Sequence, residues 1–174
     1  MNKFLAAAAA AGLTAFAAPA FAQNIEGSIG YSSVDLDPGD LGAITARVTW
    51  NANDIFGIEG EASFGVRDET VAFAGPPAGT ADVELKHAVA VYGVAGMPVG
   101  ENGRVFARVG YGTQEVEASN TAVAVTGDDQ SVNYGVGASW FFDGRNGVRG
   151  DWTRHDFNDG GDADVWSVSY VRRF

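Results

Sequence analysis

Along this chain apolar and polar residues alternate with a period of two, and almost nowhere with the 3.6-residue period of a helix. The clearest run is Val132, Tyr134, Val136, Ala138, Trp140 and Phe142, interleaved with Asn133, Gly135, Gly137, Ser139 and Phe141. A second sets Ile44, Ala46, Val48 and Trp50 against Thr45, Arg47, Thr49 and Asn51. A third sets Phe56, Ile58, Ala62, Phe64 and Val66 against Glu59, Glu61, Ser63 and Arg67. Successive side chains of a strand point to opposite faces. Each run therefore has one apolar face and one small or polar face, with Phe141 the exception. The chain divides into eight such segments, at 25–36, 42–52, 55–70, 84–97, 104–117, 130–142, 147–157 and 164–174. In the fourth, either Val89 and Val91 or Ala90 and Tyr92 form the apolar face.

The connections alternate too. Residues 51–54, 100–103 and 143–147 are short turns rich in Asn, Asp and Gly. Between them lie longer connections at 37–41, 71–83, 118–129 and 158–163, rich in acids and small residues. An all-β, up-and-down antiparallel sheet with two unlike ends explains this pattern.

The N-terminus reads as an address. Lys3 precedes an Ala-rich apolar run from Phe4 to Ala18, and Ala20-Phe21-Ala22 supplies a small-x-small cleavage site. Residues 1–22 are expected to be a cleaved secretory signal peptide, with 23–174 as the mature domain. No later apolar run reaches the ~18 residues of a spanning helix. The exported domain is either soluble or crosses a membrane as strands.

Three features favour strands in a membrane. By alternation, Glu26, Glu59, Glu61 and Asp151 share the polar face with Arg47, Arg104, Arg108 and Arg149. The whole chain has 22 acids against 11 bases, so an even balance on one face marks an enclosed lumen, where an unpaired charge is costly. Secondly, aromatics gather at both ends of the apolar face. Trp50, Phe56, Trp140 and Phe142 lie toward the short turns, and Tyr31, Phe64, Tyr111 and Trp166 toward the other end. That is the double girdle of a transmembrane barrel. Thirdly, the excess acid lies in the long connections. The expected fold is an eight-stranded antiparallel up-and-down transmembrane β-barrel.

The residues Phe56-Gly-Ile-Glu-Gly-Glu-Ala-Ser-Phe-Gly65, Arg108-Val-Gly-Tyr-Gly112, Val148-Arg-Gly-Asp-Trp-Thr-Arg-His-Asp-Phe157 and Trp166-Ser-Val-Ser-Tyr-Val-Arg-Arg-Phe174 resemble the small outer-membrane barrels of OmpA and OmpX type. The resemblance implies location in a Gram-negative outer membrane, with lipid and lipopolysaccharide around the protein; both termini are expected in the periplasm, because an even strand count returns the chain to its starting side. It also implies that Trp166, Val168, Tyr170 and Phe174 form the signal read by the outer-membrane assembly machinery. Arg172 departs from the pattern, occupying an alternating position where an apolar residue is usual.

The chemistry-bearing residues point away from catalysis. Glu59 and Glu61 share a face with matching arginines, which suits a salt-bridge network better than acid–base work. The histidines stand in His87-Ala88-Val89 and His155-Asp156-Phe157, neither with the Ser two residues on that the family's lipid A deacylases place there. The stretch Asp156–Asp164 has Gly160 and Ser167 where an EF-hand needs its fifth and twelfth ligands. The acidic loops read first as a solvated surface, and second as loose ligands for divalent cations bridging to lipopolysaccharide phosphates. No cofactor and no metal centre are expected. A pI near 4.4 argues against nucleic acid, and zero cysteines exclude disulfide and thiol chemistry. The expected protein is a monomeric, non-enzymatic structural barrel supporting envelope integrity. The alternatives are a small selective channel past Arg47, Arg104 and Arg108, a surface adhesion module, and a soluble exported barrel around an apolar ligand. A lipid-modifying enzyme comes last.

Overall fold

The computed structural model describes residues 24–36, 39–67, 69–73, 79–119, 124–158 and 160–174. The expected signal peptide, 1–22, lies outside them. The strands are β1 (Ile25–Leu36), β2 (Gly39–Asn51), β3 (Phe56–Arg67), β4 (Glu69–Phe73), β5 (Gly79–Val99), β6 (Gly103–Ser119), β7 (Ala124–Phe141), β8 (Asn146–Phe157) and β9 (Asp162–Arg173). Every pairing is antiparallel. β1 pairs with both β2 and β9, and β3 pairs with β5, so eight strands close into a barrel with no free edge along the wall. The ninth element, β4, pairs with the start of β5 beyond the β3–β5 contact and lies outside the closed ring.

This differs from the eight segments read from sequence in one respect. Parts of all four long connections are strand: the start of β2 in 37–41, β4 and the start of β5 in 71–83, the end of β6 and the start of β7 in 118–129, and the start of β9 in 158–163. β6 and β7 stay paired up to Ser119↔Ala124, well past the last β7–β8 pair, Ser131↔Phe157. A hairpin outside a hydrocarbon layer needs no apolar face. Thr126-Gly127-Asp128-Asp129 therefore carries no alternation to read.

Burial is inverted relative to a soluble sheet. β9 alternates buried and exposed along its length, with Val165, Ser167, Ser169 and Val171 buried inside and Trp166, Val168 and Tyr170 exposed outside. The polar face is the interior throughout, and the exposed face is Val, Ile, Ala and aromatic. The ambiguity in β5 resolves the same way: Tyr92 is fully buried in the lumen, while Val91 is 62% exposed on the wall.

The tight turns follow from their residues. Asn53 accepts the backbone N–H groups of Ile55 and Phe56 at 2.9 and 2.8 Å. Asp143 accepts those of Arg145 and Asn146 at 2.9 and 2.6 Å. These N–H groups and the Asn146 side chain hold the exposed Asp143 carboxyl down at about 2. Gly100 and Gly144 supply the positive φ values of 66° and 77° that the turns at 100–103 and 143–147 require. No helix among the described residues is long and apolar enough to cross a membrane.

Candidate functional site: the filled lumen and the aromatic wall

The β2, β3, β6 and β8 strands carry six inward charges to one level of the barrel. Arg108 reaches Glu59 at 2.9 Å, Glu61 at 2.8 Å and Asp151 at 3.0 Å. Arg47 reaches Glu61 at 2.6 Å and Asp151 at 3.4 Å. Arg149 reaches Glu59 at 2.5 Å and Asp151 at 2.8 Å. Three guanidiniums thus face three carboxylates, and all six side chains are buried. Thr49 donates to Glu59 at 2.7 Å, Tyr92 donates to Glu61 at 3.3 Å, and Arg108 donates to Thr153 at 3.0 Å. Buried charges persist only when paired and fully hydrogen-bonded, and here each has several partners. Arg108 also lies over the Tyr92 ring at 4.4 Å, and Arg149 over Phe106 at 4.3 Å.

Toward the short turns lies a second tier. Glu26 accepts from Arg173 at 3.0 Å and lies 3.5 Å from Arg104, which also donates to Asn51 at 2.8 Å. The Arg173 guanidinium stacks on the ring of Phe141 at 3.5 Å. A cavity of about 480 Å³ opens at this end, lined by Glu26, Asn51, Arg104 and Arg173 among others. Toward the long loops, hydroxyls form a belt: Ser167, Ser32, Thr45 and Ser63 bond in sequence at 2.6, 2.7 and 2.9 Å across β9, β1, β2 and β3. Above it, Leu41, Ala43 and Leu85 pack with Val34 and Ala88 as an apolar layer inside the barrel.

The eight residues read as lumen charges from sequence therefore lie in two tiers: Arg47, Glu59, Glu61, Arg108, Arg149 and Asp151 in one, Glu26 and Arg104 in the other. Sequence reasoning missed Arg173, Tyr92, Phe106 and Phe141. The signal for Arg173 was present, since it follows Ser169 and Val171 on the inward face. Phe141, the lone apolar residue among the inward positions of the Val132–Phe142 run, is inside as the stacking surface for that arginine.

Tyr31, Trp50, Phe56, Phe64, Tyr111, Trp140, Phe142 and Trp166 all lie on the outer wall and are exposed. Trp140, Val148 and Tyr170 share one row near the short turns, and Tyr31, Ile44 and Phe64 another row nearer the long loops. Between them the wall has a shallow apolar depression of about 1060 Å³, where Ala95, Ala107, Ala138 and Gly150 stand. Exposed apolar surface this extensive is not tolerated in water. At the chain end Trp166, Val168 and Tyr170 face outward, and the Phe174 N–H donates to the Ile25 carbonyl at 3.0 Å.

The remaining sequence candidates are dispersed. His155 points to the lumen side of β8, and His87 lies 3.9 Å from Glu115 near the long-loop end. Asp162 and Asp164 both pair with Arg154. No group of three or more metal-ligating side chains occurs among the described residues.

A closed antiparallel barrel, charged inside and apolar outside between two aromatic rows, is an integral membrane β-barrel. Its sequence matches the model of the outer membrane protein beta-barrel domain over residues 5–174, and the chain belongs to that family. Among solved structures it is similar to the outer membrane protein OprG of Pseudomonas aeruginosa, with TM-score 0.69 and 9% identity over 86% of this chain and 95% of that one. It is also similar to the N-terminal β-barrel domain of OprF from the same organism, with TM-score 0.60 and 11% identity over 86% and 98%. A third is Ail, the attachment invasion locus protein of Yersinia pestis, with TM-score 0.59 and 16% identity over 86% and 97%. These likenesses establish the fold, that of the small eight-stranded outer-membrane barrels. A search of curated proteins found no sequence match.

Proposed function

We propose that this protein is a non-conducting structural barrel of the outer membrane that supports envelope integrity. The observation that carries the reading is the neutral, buried network of three arginines and three carboxylates across the lumen. An eight-stranded interior is just wide enough for side chains to fill. Water entering the short-turn cavity meets Glu26, Arg104 and Arg173, then the six-charge tier. Passage of an ion requires those pairs to part in a low dielectric, where each attraction is strong.

In this reading residues 1–22 are cleaved on export, and the short turns face the periplasm. The aromatic rows sit at the two membrane interfaces, and Trp166, Val168, Tyr170 and Phe174 are read by the assembly machinery. The barrel is a monomer and performs no catalysis. Its outer loops are acid-rich and suit divalent cations held against lipopolysaccharide phosphates. The Ail structure was solved in complex with a heparin analogue, sucrose octasulfate. The net charge of -11 here disfavours a polyanion of that type at these loops.

Single-channel recording tests the reading. The purified protein in a planar bilayer should give no resolved conductance steps over the voltage range that open porins tolerate. Steady openings from the wild-type protein would move the assignment to the small selective channel.

A further inference from the structure

Toward the long loops, β5, β6 and β7 bring an imidazole and two carboxylate residues to one rung. His87 on β5 is the register partner of Glu115 on β6, and Glu115 is the register partner of Asp128 on β7. Directly opposed residues of an antiparallel ladder share a face. That face is the outer one: it continues from Val89 and Val91 on β5, Tyr111 on β6 and Val132 on β7, all exposed. The rung lies past the last β7–β8 pair, Ser131↔Phe157, so it has three strands and an open side. The His87 Nε2 lies 3.9 Å from a Glu115 carboxylate oxygen, and the two side chains are 36% and 34% exposed.

The spacing suits a bridging metal ion. Two ligands of one tetrahedral zinc, each bonded at about 2.1 Å, stand about 3.4 Å apart. His87 and Glu115 reach that separation by a side-chain adjustment of about half an ångström. One neutral imidazole and two carboxylates balance a double positive charge. The register adds an independent reason for a cation. Glu115 opposes Asp128, and in the rung beyond, Glu84 opposes Glu117. Like charges directly opposite each other destabilise a sheet. A divalent ion at the first rung offsets that repulsion and ties three strands together where the barrel wall no longer does. Lys86, the extra residue of the bulge between Leu85 and His87, has an interaction of its own and is not needed as a ligand.

We propose that His87, Glu115 and Asp128 form a surface site for a single divalent transition-metal ion of the zinc class, with water completing the coordination. This departs from the expectation of no metal centre. It also goes beyond loose cation holding by the acidic loops, because an imidazole selects zinc, nickel or copper over magnesium and calcium. The site stands on strand register, and does not depend on whether the lumen conducts.

The test titrates zinc into the untagged protein, refolded in detergent micelles with isotope-labelled histidine. The sequence has only two histidines, so the nuclear magnetic resonance signals separate cleanly. Zinc should bind as a single ion per chain and shift the His87 imidazole while leaving His155 in place. His87→Ala, Glu115→Gln and Asp128→Asn should each weaken binding at least about tenfold, since losing even a supporting group around a metal site costs that much. Heat-dependent gel mobility checks that each variant is folded. Excess calcium should not displace the zinc. Zinc that binds wild type and His87→Ala alike, or that calcium displaces, would overturn the site in favour of loose holding by the loops. Absence of zinc binding, or a shift of His155 in place of His87, would overturn it as well. Wild-type affinity in Asp128→Asn would overturn the three-strand assignment.

Discussion

Replacing Arg108 with methionine is expected to destabilise the folded barrel by about 3–5 kcal/mol, the range for removing one partner of a buried charged network. Arg108 is the one cation that touches all three carboxylates of the central tier. Without it, Glu59, Glu61 and Asp151 share only Arg47 and Arg149, and one negative charge is left buried without a counter-charge. Methionine keeps most of the side-chain volume, so the loss measures charge and hydrogen bonding rather than a cavity. Urea unfolding of vesicle-refolded protein, followed by tryptophan fluorescence, reads the effect. The double variant Arg108→Met with Glu61→Gln restores charge balance and should recover a substantial part of the loss. A single-variant cost below about 1 kcal/mol would mean that water reaches the tier and screens it.

The second large effect concerns space rather than charge. Gly110 lies on β6 between Arg108 and Gly112, at the inward position beside Tyr92. A Cβ built there overlaps the Val91 carbonyl oxygen and lies 2.8 Å from the Tyr92 Cα, so the obstacle is backbone that cannot swing aside. Gly110→Val should therefore cost about 3 kcal/mol or more and strongly reduce the yield of folded barrel. Gly60 is the matched control. It lies in a strand of the same barrel, but a Cβ there meets nothing within 4 Å. Gly60→Ala should be neutral or stabilise by about 0.5 kcal/mol. The urea midpoints of the two variants give the comparison, and equal midpoints would contradict the close β5–β6 approach at Gly110.

The barrel was legible from sequence because a membrane wall imposes alternation on every strand. Val132 to Phe142 and Ile44 to Trp50 cannot satisfy it in any other register. The strand ends were less legible for the converse reason: β4 and the outer parts of β5 and β7 lie beyond the wall, where no hydrocarbon layer imposes an alternation. In the lumen, the balance of four acids and four bases on one face was visible, but partner choice was not. Glu59 meets Arg108 on β6 and Arg149 on β8, contacts made across the barrel and set by closure rather than by spacing along the chain. Arg173 was obscured by its neighbour Arg172. One of the pair points in to Glu26 and the other out to the rim, and only the strand register separates their roles.

The central claim is a closed, ion-filled barrel held in the outer membrane, and gel mobility tests it most directly. Cells are fractionated, the protein is extracted, and unheated and boiled samples are run side by side. The account predicts recovery in the outer-membrane fraction and a clear mobility difference between the two samples, because a barrel closed at β1–β9 and tied across its lumen stays folded in detergent until it is heated. Recovery in the soluble fraction with identical mobility would contradict it.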